Sequence, residues 1–199
     1  MSNWPFGDLR PQSYDMLMVD PPWSFKTYSE NGNEKGAKAK YSCMSLDDIA
    51  ALPVKELASK DCLLLMWATN PMLIPAIRIM ESWGFTYKTA AHWVKKTKHG
   101  KIAFGTGYLL RCAGEPLLIG TIGKPKTSRS CRTIIEGLVR EHSRKPDEAF
   151  GWAERLMPDA SRAELFSREN RPGWDCWGDE AGKFDASHQT PSIVMEACQ

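Results

Sequence analysis

The most informative stretch of the chain reads Tyr14-Asp15-Met16-Leu17-Met18-Val19-Asp20-Pro21-Pro22-Trp23. Its apolar first part predicts a buried strand that ends at Val19. Each proline fixes φ and lacks an N–H donor, so the sheet cannot continue past Asp20. The strand should therefore end in a stiff bend, the Asp-Pro-Pro-Trp motif (residues 20–23), which carries a carboxylate, carbonyl groups that point outward and one aromatic ring.

These groups suit a planar base that bears an exocyclic amine. Asp20 and the carbonyl of Pro21 or Pro22 would each accept one amine hydrogen, and Trp23 would stack on the base. Two acceptors favour a pyramidal nitrogen with a localised lone pair, which could then attack a methyl group held in line. The alternative is an ordinary exit from a strand with a buried tryptophan, because short motifs give false positives.

The Asp-Pro-Pro-Trp motif resembles the catalytic motif of amino-methyltransferases that use S-adenosylmethionine, and its Trp form resembles that of the MT-A70 family of adenine methyltransferases. The resemblance extends from about Tyr14 to Glu180. It implies that residues 20–23 are catalytic and that the motifs occur in a permuted order, with the cofactor loop near the end of the chain. In agreement with this order, no glycine-rich cofactor loop opens the sequence.

The segment that resembles the cofactor loop of this family is Ala163 to Glu180, where 163–166 predicts a strand and 167–171 its exit loop. Ligands of open parallel sheets bind beyond the carboxyl ends of strands. The resemblance implies S-adenosylmethionine as cofactor, bound by Asp20, Lys145, Glu164, Phe166, Ser167, Arg168, Asn170, Arg171, Asp179 and Glu180. Asp179 and Glu180 stand where the family often has amides, and Asn170-Arg171 stands where it commonly has His-Asn.

Two basic segments, residues 95–101 and 123–132, favour a nucleic-acid substrate, because lysines and arginines contact phosphates. Solvated charged turns are the alternative. The polar segment 24–44 is long for a loop in a compact domain and predicts a mobile lid over the substrate. The predicted substrate-binding residues are Tyr28, Tyr41, Lys96, Lys98, Arg111 and Glu115.

The remaining patterns predict one α/β methyltransferase domain over residues 1–183, with a doubly wound, mostly parallel sheet of the Rossmann-like type. Apolar runs predict strands at 62–68, 89–94, 117–120 and 133–138. Capping and proline signals predict helices that begin near Ser45, near Asn70 and at Pro146. The second of these should end at Gly84. Residues 184–199 predict a disordered tail.

Bulk composition sets few limits on the function. The 199 residues suit one domain, and a net charge of +2 neither requires nor excludes nucleic acid. Six cysteines without a C-x-x-C pair predict neither a metal site nor a disulfide framework. The absence of a signal pattern or a long apolar run predicts a cytoplasmic protein that does not enter a membrane.

The predicted function is methyl transfer from S-adenosylmethionine to N(6) of adenine in nucleic acid, with DNA slightly favoured over RNA and cytosine left open. The alternative is a non-catalytic subunit that binds nucleic acid or supports an active partner. A homodimer or a partner subunit is also left open. A dinucleotide-dependent enzyme is disfavoured, because no G-x-G-x-x-G turn follows the first strand.

Overall fold

The computed structural model describes residues 4–23, 44–107, 109–140 and 144–185. The strands of this part are β1 (Tyr14–Val19), β2 (Ala58–Trp67), β3 (Thr86–Lys96), β4 (Gly114–Ile122), β5 (Ile134–Leu138), β6 (Arg162–Leu165) and β7 (Asp175–Trp177). The α-helices are α1 (Leu46–Ala51), α2 (Leu73–Ser82) and α3 (Asp147–Leu156), and two short 3₁₀ helices cover Val54–Leu57 and Asn70–Met72.

The strands form one sheet in the order β5-β3-β4-β2-β1-β6-β7. Within the described residues, β4 alone runs antiparallel to its neighbours, β2 and β3, and the other paired strands are parallel. The prediction of a mostly parallel α/β sheet is therefore confirmed.

The order of strands reverses at β1. The chain moves from β1 to β2 on one side and later returns to β6 on the other, so that Val19 lies opposite both Met66 and Leu165. Open α/β sheets bind ligands at such a switch point, beyond the carboxyl ends of the strands. Because β4 runs the other way, its first residues, Gly114 and Glu115, lie at this same edge.

Two apolar layers cover the sheet. Leu17 and Val19 pack with residues of α1 and α2 on one face, while Met16 and Met18 pack with residues of α3 on the other. Strands covered on both faces need apolar residues at successive positions. This explains the unbroken apolar runs in β1 and β2.

Several local signals produce the expected ends of elements. Ser45 caps α1, because its hydroxyl accepts a hydrogen bond from the Asp48 N–H at 3.1 Å. Gly84 follows α2 with a φ of +81°, a conformation that favours glycine. Ile74 of α2 is 66% exposed and so lies on the solvent side of the helix. The short strand β7 was not predicted, because its three residues lie in a segment assigned to the cofactor loop.

The predicted lid over 24–44 lies outside the described residues, except for Met44, which forms a bridge with Trp23. The predicted tail, 184–199, lies outside the described residues except for Phe184 and Asp185, and the Phe184 N–H donates to the Arg168 carbonyl at 3.1 Å. No helix in the described ranges is long and apolar enough to span a membrane. These same ranges contain no group of three or more His, Cys, Asp or Glu residues able to hold a metal ion.

Candidate active site

Asp20 lies at the carboxyl end of β1, at the reversal of strand order. Its N–H donates to the carbonyl of Leu165 at 3.3 Å, which ties the bend to the end of β6. The side chain keeps 27% of its surface exposed. The proline bend therefore places one partly accessible carboxylate where ligands of such sheets bind.

The two proline carbonyls already have donors. The Trp23 N–H donates to the Pro21 carbonyl at 2.8 Å, and the Met44 N–H donates to the Pro22 carbonyl at 3.2 Å. The proline carbonyls, expected to be free, each accept one hydrogen bond. A carbonyl oxygen has two lone pairs, so each retains the capacity for one further hydrogen bond. Pro22 is the more accessible of the two prolines.

Trp23 belongs to the core. Its side chain is only 6% exposed, and its Nε1 donates to the Trp67 carbonyl at 3.0 Å. A ring that stacks on a base needs an exposed face, and this ring has none of useful size. The stacking expectation does not fit this position. The ring instead anchors the motif to the end of β2.

Four side chains of alternating charge form a row that begins at Asp20. The Nζ of Lys145 lies 2.9 Å from Asp20 Oδ2 and 2.9 Å from Glu115 Oε1. The Nζ of Lys95 lies 2.9 Å from Glu115 Oε2. The side chains of Lys145 and Glu115 are 8% and 9% exposed. We call Asp20, Lys145, Glu115 and Lys95 the charge row.

Burial and pairing compete in setting the pKa of each member. Burial raises the pKa of Asp20, and the Lys145 charge opposes it without cancelling it. Burial also raises the pKa of Glu115, but Lys145 and Lys95 together outweigh it and hold that pKa below its ordinary value. Burial lowers the pKa of Lys145, but Asp20 and Glu115 together raise it above its ordinary value. Lys145 therefore stays charged at neutral pH.

A cavity adjoins Asp20 on the β6 side. Its lining combines acids, bases and aromatic rings: Asp20, Glu164 and Glu169; Arg144, Lys145, Arg168 and Arg171; Phe150 and Phe166. The proline bend near the start of the chain and the loop after β6 thus meet at one cavity, as the sequence predicts. Six of the predicted cofactor-binding residues line it: Asp20, Lys145, Glu164, Phe166, Arg168 and Arg171.

Two of the residues that line the cavity are unusual. Phe166, directly after β6, has a φ of +61°, which is rare for a bulky side chain and typical of constrained functional sites. Burial raises the pKa of Glu164 to about 7, because the effect of burial is larger than the opposing effects of the Ser167 hydroxyl and Arg171. This carboxyl is therefore partly protonated near neutral pH.

The cavity rim is held by arginine–acid pairs. Glu169 accepts hydrogen bonds from Arg144 Nε at 3.1 Å and from Arg171 Nη2 at 3.3 Å. Arg171 also lies 2.9 Å from Asp147, the first residue of α3. These pairs fasten the loop after β6 to the start of α3.

The family of the chain follows from a comparison with family models, because the MT-A70 model matches residues 14–180. The chain belongs to the MT-A70 family. The resemblance to this family is confirmed, and so is the prediction that the chain is a methyltransferase.

Three proteins of similar sequence show how this MT-A70 chain compares with its relatives. The type II methyltransferase M.MunI of Mycoplasma sp is 31% identical over 191 residues, which cover 87% of this chain and 80% of M.MunI. Human METTL4, named an N(6)-adenine-specific methyltransferase, is 29% identical over 94% of this chain and 41% of its own length. MTA1 of Cryphonectria parasitica, named an N6-methyladenosine RNA methyltransferase, is 26% identical over 92% of this chain and 55% of its own. The chain thus spans about half or less of METTL4 and MTA1.

The other predicted cofactor residues do not line the cavity. Ser167 is buried behind it, with its hydroxyl 3.0 Å from Glu164 Oε2. Asn170 donates from its backbone and side chain to Asp185, and Glu180 accepts from Arg168 Nε at 2.8 Å. Asp179 is exposed.

The predicted substrate residues separate into three groups. Glu115 belongs to the charge row beside Asp20. Lys96 pairs with Glu136 at 3.0 Å, while Lys98 is exposed and Arg111 lies over the Phe104 ring at 5.3 Å. Tyr28 and Tyr41 lie outside the described residues.

Sequence reasoning missed four residues of the site: Arg144, Phe150 and Glu169 at the cavity, and Lys95 in the charge row. Arg144 precedes Lys145, and Glu169 lies within the predicted exit loop, so their neighbours were a usable signal. Phe150 carried none, because a helical position reveals its face only after packing. Lys95 was included in the basic segment 95–101, a pattern that does not show its contact with Glu115.

Proposed function

We propose that this chain transfers a methyl group from S-adenosylmethionine to the N(6) amine of adenine in nucleic acid. The observation that carries the proposal is the shared cavity. Asp20, the only acid of the motif, lines it together with the residues after β6 that resemble the family's cofactor loop. An acceptor for the amine and a site for the methyl donor would then lie side by side, as in-line transfer requires.

The cavity residues fit the proposed cofactor, which has a carboxylate, an ammonium, hydroxyl groups and an aromatic base. Lys145, Arg144 and Arg168 offer positive charge for a carboxylate, and Glu164 and Glu169 offer acceptors for an ammonium or for hydroxyls. The Nε of Arg171 is buried with no hydrogen-bond acceptor among the described residues, as expected of a donor kept for a ligand. When bound, the cofactor supplies an electrophilic methyl group on a sulfonium.

Asp20 would orient the amine. A carboxylate accepts at several positions, so Asp20 can bind an amine hydrogen while Lys145 occupies part of Oδ2. The Pro22 carbonyl, with one lone pair left, would accept the second hydrogen. Asp20 must be ionised for this role, and Lys145 opposes the rise in its pKa that burial causes.

Adenine in nucleic acid is supported by the names of the relatives and by the surface near the site. METTL4 is named adenine-specific and MTA1 is named an RNA methyltransferase. Lys98 and Arg111, in the connection between β3 and β4, are exposed and positively charged. Such side chains bind phosphates with an affinity that falls as salt rises.

The deciding experiment measures tritiated-methyl transfer from S-adenosylmethionine to matched DNA and RNA pools, followed by nucleoside mass spectrometry. We expect label in N(6)-methyladenine or N(6)-methyladenosine. Asp20→Ala should lower kcat at least about 100-fold, as loss of a group that stabilises the transition state does. Asp159→Ala, an exposed acid after α3, should keep the wild-type rate.

Calorimetry with S-adenosylmethionine separates the enzyme from a non-catalytic subunit. Binding heat together with labelled adenine supports the proposal. Absence of binding up to millimolar cofactor would favour the non-catalytic subunit, and a full rate in Asp20→Ala would contradict the role of Asp20.

A further inference from the structure

Lys95 ends the charge row on the side away from Asp20. Its Nζ lies 2.9 Å from Glu115 Oε2 and 4.7 Å from the centroid of the Trp93 ring, and its side chain is 23% exposed. Its backbone is fixed as well, because its N–H donates to the Ala113 carbonyl at 2.9 Å. Trp93 and Glu115 are register partners in β3 and β4. The ammonium group is therefore held in place by two strands.

The charges of the row balance only when Lys95 is counted. Asp20 and Glu115 are two carboxylates, and Lys145 lies 2.9 Å from both. Without Lys95, both carboxylates would share one lysine in a buried setting, which favours binding of a proton by one of them. With Lys95 in place, Glu115 has a lysine of its own.

We propose that Lys95 is a positioning residue, which through Glu115 holds Lys145 against Asp20 so that Asp20 stays ionised and oriented. Lys95 does not line the cavity beside Asp20, so it acts through other side chains. The charged groups that face this system are Lys95 from β3, Glu115 from β4, Lys145 from the segment before α3, Glu164 from β6 and Arg168 from the loop after β6. The part of the inference that concerns methyl transfer rests on the proposed function.

The sign of the pH effect follows from the charges. Removing the Lys95 charge removes one of the two cations that hold the pKa of Glu115 low. The first proton would then bind to the Asp20–Glu115 pair at a higher pH, as a property of the pair rather than of one residue. If both carboxylates must be ionised for methyl transfer, the acidic limb of the pH–rate profile shifts to higher pH together with this protonation.

The test compares Lys95→Met with Lys95→Arg and with Lys88→Met, which removes an exposed charge near the other end of β3. We expect Lys95→Met to lower kcat/KM about tenfold at neutral pH and to move the acidic limb up by about one pH unit. Lys95→Arg should restore the limb and most of the rate, and Lys88→Met should match the wild type. A loss that is equal at every pH, or no loss, would overturn the proposal.

A second readout does not depend on activity. Carbon-13 NMR titration of the Asp and Glu side-chain carboxyls should show the first protonation of the Asp20–Glu115 pair at a higher pH in Lys95→Met than in the wild type. Identical titration curves would overturn the coupling. If the wild type transfers no methyl group but the curves differ, the proposed function fails and the coupling of Lys95 to Asp20 stands.

Discussion

The two sides of Asp20 are built from the same kinds of residue but arranged differently. Toward β4, the closed side, the charge row continues through Lys145, Glu115 and Lys95, which form salt bridges with one another. The side chains of Lys145 and Glu115 are less than a tenth exposed. Toward β6, arginines and acids surround a cavity, and their pairs at the rim, such as Arg171–Glu169, are 17% and 25% exposed.

The difference separates two uses of charge. Buried ions that pair with one another set a fixed field around Asp20, and of these three side chains Lys145 is the one that also lines the cavity. Charges around a cavity, on the open side, can exchange a neighbouring side chain for a ligand. The closed side is therefore expected to govern folding stability and the ionisation of Asp20, and the open side ligand binding.

The largest expected effect comes from breaking the closed side. Glu115→Gln leaves Lys95 and Lys145 with one anion fewer, and breaking a buried ion pair costs about 3–5 kcal/mol of unfolding free energy. The matched change on the open side, Glu169→Gln, should cost less than about 1 kcal/mol, because partly exposed pairs are screened by solvent. Urea denaturation of both variants measures the contrast. Equal losses would show that the two sides do not differ as described.

A smaller, pH-dependent effect is expected on the open side. Burial raises the pKa of Glu164 to about 7, so between about pH 4.5 and pH 7 the folded state holds this proton more tightly than the unfolded chain does. The unfolding free energy of the wild type should therefore fall as pH rises through this window, by at most about 3 kcal/mol.

Glu164→Gln removes this titration. The variant should gain stability relative to the wild type as pH rises from 4.5 to 7, measured by urea denaturation at several pH values. A stability difference that does not change with pH would mean that Glu164 is ionised throughout this range.

A further expected effect concerns Trp23, which anchors the motif to the end of β2. Trp23→Phe keeps an aromatic ring but loses the hydrogen bond to the Trp67 carbonyl, which leaves a buried acceptor with one donor fewer. The expected cost is about 1 kcal/mol of unfolding free energy. The affinity for nucleic acid should not change, because the ring is buried. A large loss of affinity with unchanged stability would restore the stacking role.

Much of the candidate site could be predicted from the sequence. The proline bend fixed the position of Asp20, and the strand–loop pattern after residue 163 fixed that of Glu164, Phe166 and Arg168, because both are local signals at strand ends. The sequence could not decide between a stacking and a buried Trp23, because exposure is a property of packing and the same residue type suits a core or a stacking surface.

The sequence by itself determined the strand that ends at Val19 and the helix starts near Ser45 and at Pro146, because each depends on residues that are close together in the chain. The motifs along the chain determined the family. Only the tertiary structure decided that Lys145, Glu115 and Lys95 form one row with Asp20. These side chains come from four separate segments, and no local pattern encodes the strand order that brings them together. The reversal at β1 and the opposite direction of β4 place all four at one edge of the sheet, where burial forces their charges to pair.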